Sequence, residues 1–197
     1  KNDENAPKLY AKVLDVLFIC IAVICFVVSL FGKELVSWMT TPTYHTAYWA
    51  LASLMFAQLL YAINTIVGYG ISFAKKTGYH MVSVWAGAIV NLILNFILIP
   101  KYGFSAAALT TLIGYAIMTF LAYRFAQKLY PCEYRMVRIT VATVILYATC
   151  ILAMDAAIWL KGIVLLVGLG LLCWSYWETL SEIISFAKVI LKRVRGC

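Results

Sequence analysis

Apolar residues do not alternate along this chain; they run. Stretches at 13–30, 47–73, 81–99, 104–126, 139–160 and 163–177 read as six membrane-crossing helices, parted by short polar segments. The run 81–99 carries no charge over 19 residues, about 28 Å as a helix at ~1.5 Å per residue. Pro100-Lys101-Tyr102-Gly103 then interrupts it, and a second run begins at Phe104. Proline is expected to end the third helix here, with glycine taking the turn, so the third and fourth helices should form a tight hairpin.

Polar positions inside the runs are patterned too. Ser83, Gly87, Asn91 and Asn95 recur every four residues and share one helix face. Gln58, Tyr61, Thr65, Gly68 and Ser72 line a face of the second span, with Asn64 beside it. Thr110, Thr111, Gly114 and Tyr115 add a similar group to the fourth. Such faces suit close packing and hydrogen bonding between membrane helices, or the wall of a hydrated cavity that takes a polar ligand.

The expected fold class is therefore all-α: a polytopic transmembrane helix bundle with six spans and a C-terminal amphipathic helix. The expected layout is a cytoplasmic lead-in at 1–12 and four spans at 13–126. A cytoplasmic loop at 127–138, two further spans at 139–177 and a basic tail at 178–197 complete it. In the tail, Lys188, Lys192 and Arg195 stand opposite Ile184, Ala187 and Leu191. That pattern fits a helix lying on an anionic leaflet or a straight extension of the sixth span.

Composition agrees. The chain is 64% hydrophobic and 12% charged, with a mean hydropathy of +0.93, about half the charge of a soluble domain. The formal charge of +8 is distributed by loop. Of the sixteen Lys and Arg residues, only Lys33, Lys101 and Lys161 fall in segments on the side opposite the N-terminus. The positive-inside rule then puts both ends in the cytoplasm and gives no reason to invoke nucleic acid. The first residue is Lys, and the run after Lys8 and Lys12 is too long for a signal peptide. The chain thus reads as part of a longer protein.

Candidate chemistry is sparse. His45 and His80 fall on opposite sides of the membrane and cannot share a metal, so no metal or cofactor is expected. The six cysteines form no CxxC pair, and four of them lie inside apolar runs. Asp155 suits an outer-interface position near Trp159 and Lys161 better than a proton relay. His45 with Glu34 is the one acid/base pair conceivable on the outer side, at an uninformative spacing of 11 residues.

The pieces Asn91-Leu92-Ile93-Leu94-Asn95, Ile99-Pro100-Lys101-Tyr102-Gly103, Ala106-Ala107-Ala108 and Thr110-Thr111 resemble the C-terminal domain of bacterial polysaccharide flippases. That group belongs to the multidrug/oligosaccharidyl-lipid/polysaccharide exporter superfamily. NAPKLYAKVLDV at 5–16 resembles the cytoplasmic loop-to-helix lead-in of the same group. The resemblance covers roughly 5–134 and implies about fourteen spans, of which these would be the last six. It implies a bacterial inner-membrane transporter, not an enzyme. Such a protein moves an undecaprenyl-diphosphate-linked oligosaccharide between leaflets by alternating access. Its partners would be that lipid-linked oligosaccharide, membrane lipids and the N-terminal half of the same protein. Gln58, Asn64, Asn91 and Asn95 are the expected cavity-lining residues, bonding sugar hydroxyls. Spans two to four carry no embedded Lys or Arg, so charges for the diphosphate must come from elsewhere. Alternatives are a lipid II or multidrug exporter of the same superfamily and a membrane-embedded glycan-modifying enzyme.

Overall fold

The computed structural model describes residues 6–181 and Ser185. Beyond Ser181, and apart from Ser185, the expected amphipathic tail lies outside the described residues. Helix α1 (Ala6–Leu30) leads into the short α2 (Gly32–Met39) and a 3-10 turn (Pro42–Ala47). Then come α3 (Tyr48–Phe73), α4 (Gly78–Tyr102), α5 (Phe104–Leu129), α6 (Met136–Ala153) and α7 (Ile158–Ser175). Among the described residues, six helices are long and apolar enough to cross a membrane; α2 is not one of them. The chain is an all-α, polytopic membrane protein.

Contacts fix which helix ends lie together. Phe73, closing α3, stacks between Tyr10 of α1 and Tyr130 after α5, with ring centroids 5.3 and 5.9 Å away. Arg135, ahead of α6, pairs with Glu178, beyond α7, at 3.1 Å. This first end carries Lys8, Lys12, Lys75, Lys76, Lys128 and Arg135, as the loop alternation required. The second end holds α2 and the α4–α5 and α6–α7 turns, with Lys33, Lys101 and Lys161.

Helix α3 is central. Phe56, Leu59, Ile63 and Val67 pack against Leu14, Phe18 and Phe26 of α1, and α6 and α7 close over the same cluster. Helix α5 lies along α3, and α4 lies along α5 and scarcely touches α3. No residue of α4 joins the buried apolar cluster among the described residues. Trp85, Leu92 and Phe96 point away from the bundle, 57–76% exposed. In lipid, helices gain little from burying apolar area against one another, so close approach and hydrogen bonds decide where they meet. The α4–α5 seam follows that rule. A Cβ on Gly87 would stand 2.6 Å from the Gly114 carbonyl oxygen and 2.9 Å from Met118 Cβ.

Three expectations need correction. Pro100 does not end the third helix, because α4 continues to Tyr102. Proline removes its own N–H and crowds the turn before it, but leaves the residues after it free to stay helical. Gly103 makes the whole turn, at φ 66° and ψ −151°, with its N–H bonding the Ile99 carbonyl at 2.8 Å. Lys161-Gly162 is not the turn between the last two spans either. That turn falls between Ala153 and Ile158, so Lys161 sits in the first turn of α7. The apolar run had concealed the break because Ala156, Ala157 and Ile158 are themselves hydrophobic. Finally, the loop expected at 127–138 is shorter, with α5 reaching Leu129 and α6 starting at Met136. Gln127 holds it: its amide donates to the Cys132 carbonyl at 2.6 Å and accepts from the Cys132 N–H at 3.1 Å.

At the second end, two ion pairs tie α2 to the last two helices. Lys161, wholly buried, donates to both Glu34 carboxylate oxygens at 2.8 Å. Lys33 bonds Asp155 at 2.8 Å, and the Tyr48 hydroxyl donates to the same oxygen at 2.9 Å. The Lys33 ammonium, then the Tyr48 hydroxyl, hold the Asp155 carboxyl below its ordinary range. Asp155 is thus held in an ion pair at this end of the bundle.

Candidate functional site

Two polar groupings sit on the α3–α4–α5 layer. The first begins with the exposed stripe of α3. Gln58, Tyr61, Thr65, Tyr69 and Ser72 stay open along one side while Ala57, Ile63, Val67 and Ile71 are buried. The 3.6-residue period separates these sets: one faces the protein, the other faces what lies beyond it. Two of the hydroxyls bond back to their own helix, Thr65 to the Tyr61 carbonyl at 3.0 Å and Ser72 to that of Gly68 at 3.2 Å.

Below the stripe lies a cleft of about 460 Å³, with α3 and α4 as walls and Tyr115 and Met118 of α5 as floor. Asn64 of α3 and His80 of α4 both line it. Asn64 is 2% exposed and its Oδ1 has no hydrogen-bond partner; His80 Nδ1 is buried and equally unpartnered. Gly68 lets the imidazole lie against α3, since a Cβ there would stand 3.3 Å from His80 Cε1 and 3.4 Å from Nδ1. The Tyr61 and Tyr115 rings pack at 5.6 Å between centroids. No Lys, Arg, Asp or Glu is among the residues lining the cleft.

The second grouping is on the α4–α5 seam. Asn91 donates to Thr111 Oγ1 at 3.3 Å and lies 3.5 Å from Thr110 Oγ1. Asn95 donates to Asn91 Oδ1 at 3.0 Å, and its own oxygen accepts from the Thr110 hydroxyl. Thr111 donates to the Ala107 carbonyl at 2.8 Å. These amides face a neighbouring helix and not lipid, and they satisfy one another.

Of the four expected cavity residues, Asn64 lies in the cleft. Gln58 is on the exposed stripe, six residues and under two turns before Asn64 in α3, and does not line the cleft. Asn91 and Asn95 belong to the seam network and do not line the cleft. The residue missed from sequence is His80, which reads as the last position of a polar loop but lies inside α4. The spacing from Gly68 gave the available signal, since a glycine in a polar face marks a close approach. His45 and Glu34 do not form an acid/base pair. Glu34 holds Lys161, and His45 Nε2 lies 3.3 Å from the Thr40 carbonyl oxygen.

The chain is similar to an uncharacterized membrane protein of Methanocaldococcus jannaschii, at 31% identity over 121 residues. The match takes in 60% of this chain and 23% of that protein, so it spans about a quarter of the relative's length. No family model matches the chain. No solved structure matches it.

Proposed function

We propose that this chain is the C-terminal part of an inner-membrane flippase that moves an undecaprenyl-diphosphate-linked oligosaccharide between leaflets by alternating access. The observation that carries the reading is the uncovered polar stripe of α3 with the cleft beneath it. Polar side chains at membrane depth are expected to meet protein or water, not acyl chains. Among the described residues, Gln58, Tyr61, Thr65 and Tyr69 all keep exposed surface. A hydrated cavity shared with further helices of a longer protein supplies that cover and has the chemistry for sugar hydroxyls. The first end of the bundle, with most of the basic residues, then faces the cytoplasm. The diphosphate would be met by cations outside this cleft. A multidrug exporter of the same superfamily fits less well, because a cationic drug asks for an acid and none lines the cleft.

The test uses the full-length protein in vesicles loaded with a fluorescent lipid-linked oligosaccharide, scored by its appearance on the opposite face. Gln58→Leu combined with Thr65→Val should cut translocation about tenfold or more at unchanged protein level. Wild-type translocation by this variant, or none by the unmodified protein, would remove the reading.

A further inference from the structure

The unsatisfied atoms of the cleft say more about what it takes. Buried polar groups are nearly always hydrogen-bonded, and leaving one open costs free energy. Asn64 Oδ1 and His80 Nδ1 are both open, and both side chains line one space of about 460 Å³. That size falls in the range of about 300–1,000 Å³ typical of small-molecule sites. The neighbouring hydroxyls do not claim these atoms, since Thr65 and Ser72 donate to carbonyls of their own helix. An amide oxygen accepts, and an imidazole Nδ1 accepts or donates according to tautomer. A group that offers hydroxyls matches both. With no Lys or Arg in the lining, an anion would find no permanently charged cation there. Tyr61 and Tyr115 add aromatic surface with polar tips beside the cleft.

We propose that Asn64 and His80, held in register by Gly68, form a subsite for an uncharged, hydroxyl-bearing group, one sugar ring, and that the diphosphate is bound elsewhere. This deepens the flippase reading by naming the part of the substrate the cleft receives. A site built to bond a hydroxyl loses much of its affinity when its partner is removed. Asn64→Leu keeps volume and removes the acceptor. His80→Phe removes the ring nitrogens, while His80→Gln keeps a hydrogen-bonding end.

The experiment measures saturation transfer by NMR from full-length protein in lipid nanodiscs to methyl α-glucoside, methyl α-galactoside and methyl α-mannoside. Inorganic diphosphate is the competitor. Binding of at least one glycoside is expected, weakened about tenfold or more by Asn64→Leu and His80→Phe, largely kept by His80→Gln, and not displaced by diphosphate. No transfer to any glycoside, equal transfer in all variants, or displacement by diphosphate overturns the subsite. Size-exclusion profiles exclude misfolding, and Gly68→Ala, which presses on His80 without removing a polar atom, gives a second route to weakened binding. Translocation is read in parallel. Transport that survives both Asn64→Leu and His80→Phe overturns the subsite and leaves the flippase standing. Glycoside binding without transport by the unmodified protein supports the subsite and overturns the flippase.

Discussion

Removing Glu34 should unfasten the second end of the bundle. Lys161 has no exposed surface, and both Glu34 carboxylate oxygens lie 2.8 Å from its ammonium. In Glu34→Ala that ammonium stays buried with its paired carboxylate gone. Breaking a buried pair from one side costs roughly 3–5 kcal/mol, because the remaining charge is uncompensated. The Glu34 side chain is itself 38% exposed, so water already screens part of the attraction. The lower figure, about 3 kcal/mol, is therefore expected. At roughly 2–4 °C per kcal/mol for a fold of this size, the midpoint should fall by about 6–12 °C. Heating purified protein in detergent and following the surviving monodisperse peak by size exclusion reads the shift. The matching control is Glu34→Ala with Lys161→Met, which removes both charges and should recover most of the loss. An unchanged midpoint in Glu34→Ala, or a double variant no better than the single, would refute the reasoning.

Other expectations follow from the same contacts. Gly87→Val should push α4 off α5, because even a methyl would meet the Gly114 carbonyl at 2.6 Å. A cost of about 1–3 kcal/mol and weaker cysteine cross-linking across the seam are expected. Asn91→Leu with Asn95→Leu removes interhelical bonds worth about 0.6–2 kcal/mol each, so a modest fall in thermal midpoint is expected. Surface polysaccharide at matched protein level would show whether either amide also meets substrate. Asp155 is held below its ordinary pKa by Lys33, so the pair's contribution is complete above about pH 4 and lost as pH falls through the lowered value. A thermal-midpoint titration should show this acid-side loss shrinking in Lys33→Met, with the pair's contribution constant between pH 5 and 8.

The spans were readable because lipid asks one simple question of a helix, whether about 20 residues are apolar, and composition answers it. The face of α4 was readable for a related reason. Four-residue spacing places Ser83, Gly87, Asn91 and Asn95 together whatever they touch, and the last three touch α5. Partners across the fold were not readable. Lys161 and Glu34 are 127 positions apart, and hydropathy reports neither. A lysine between two apolar runs looks like a loop residue, although its charge is carried inside the first turn of α7. His80 was misplaced for the same reason: a polar side chain beside Lys75 and Lys76 reads as loop until a glycine opposite it is seen to make room.

The single-residue turn at Gly103 has a mechanical consequence. A hairpin without slack cannot part at its tip, so Gly103 is the fulcrum about which α4 can tilt. Asn95 is eight residues from it, about 12 Å along the helix, and His80 is twenty-three, about 34 Å. A tilt of roughly 5° would carry Asn95 about 1 Å, within the slack of a hydrogen bond, and His80 about 3 Å, enough to lift the imidazole from Gly68. Such a tilt would leave the interlocked amides almost in place while drawing the far end, where Tyr79 packs on Phe125 at 5.1 Å between ring centroids, across α5.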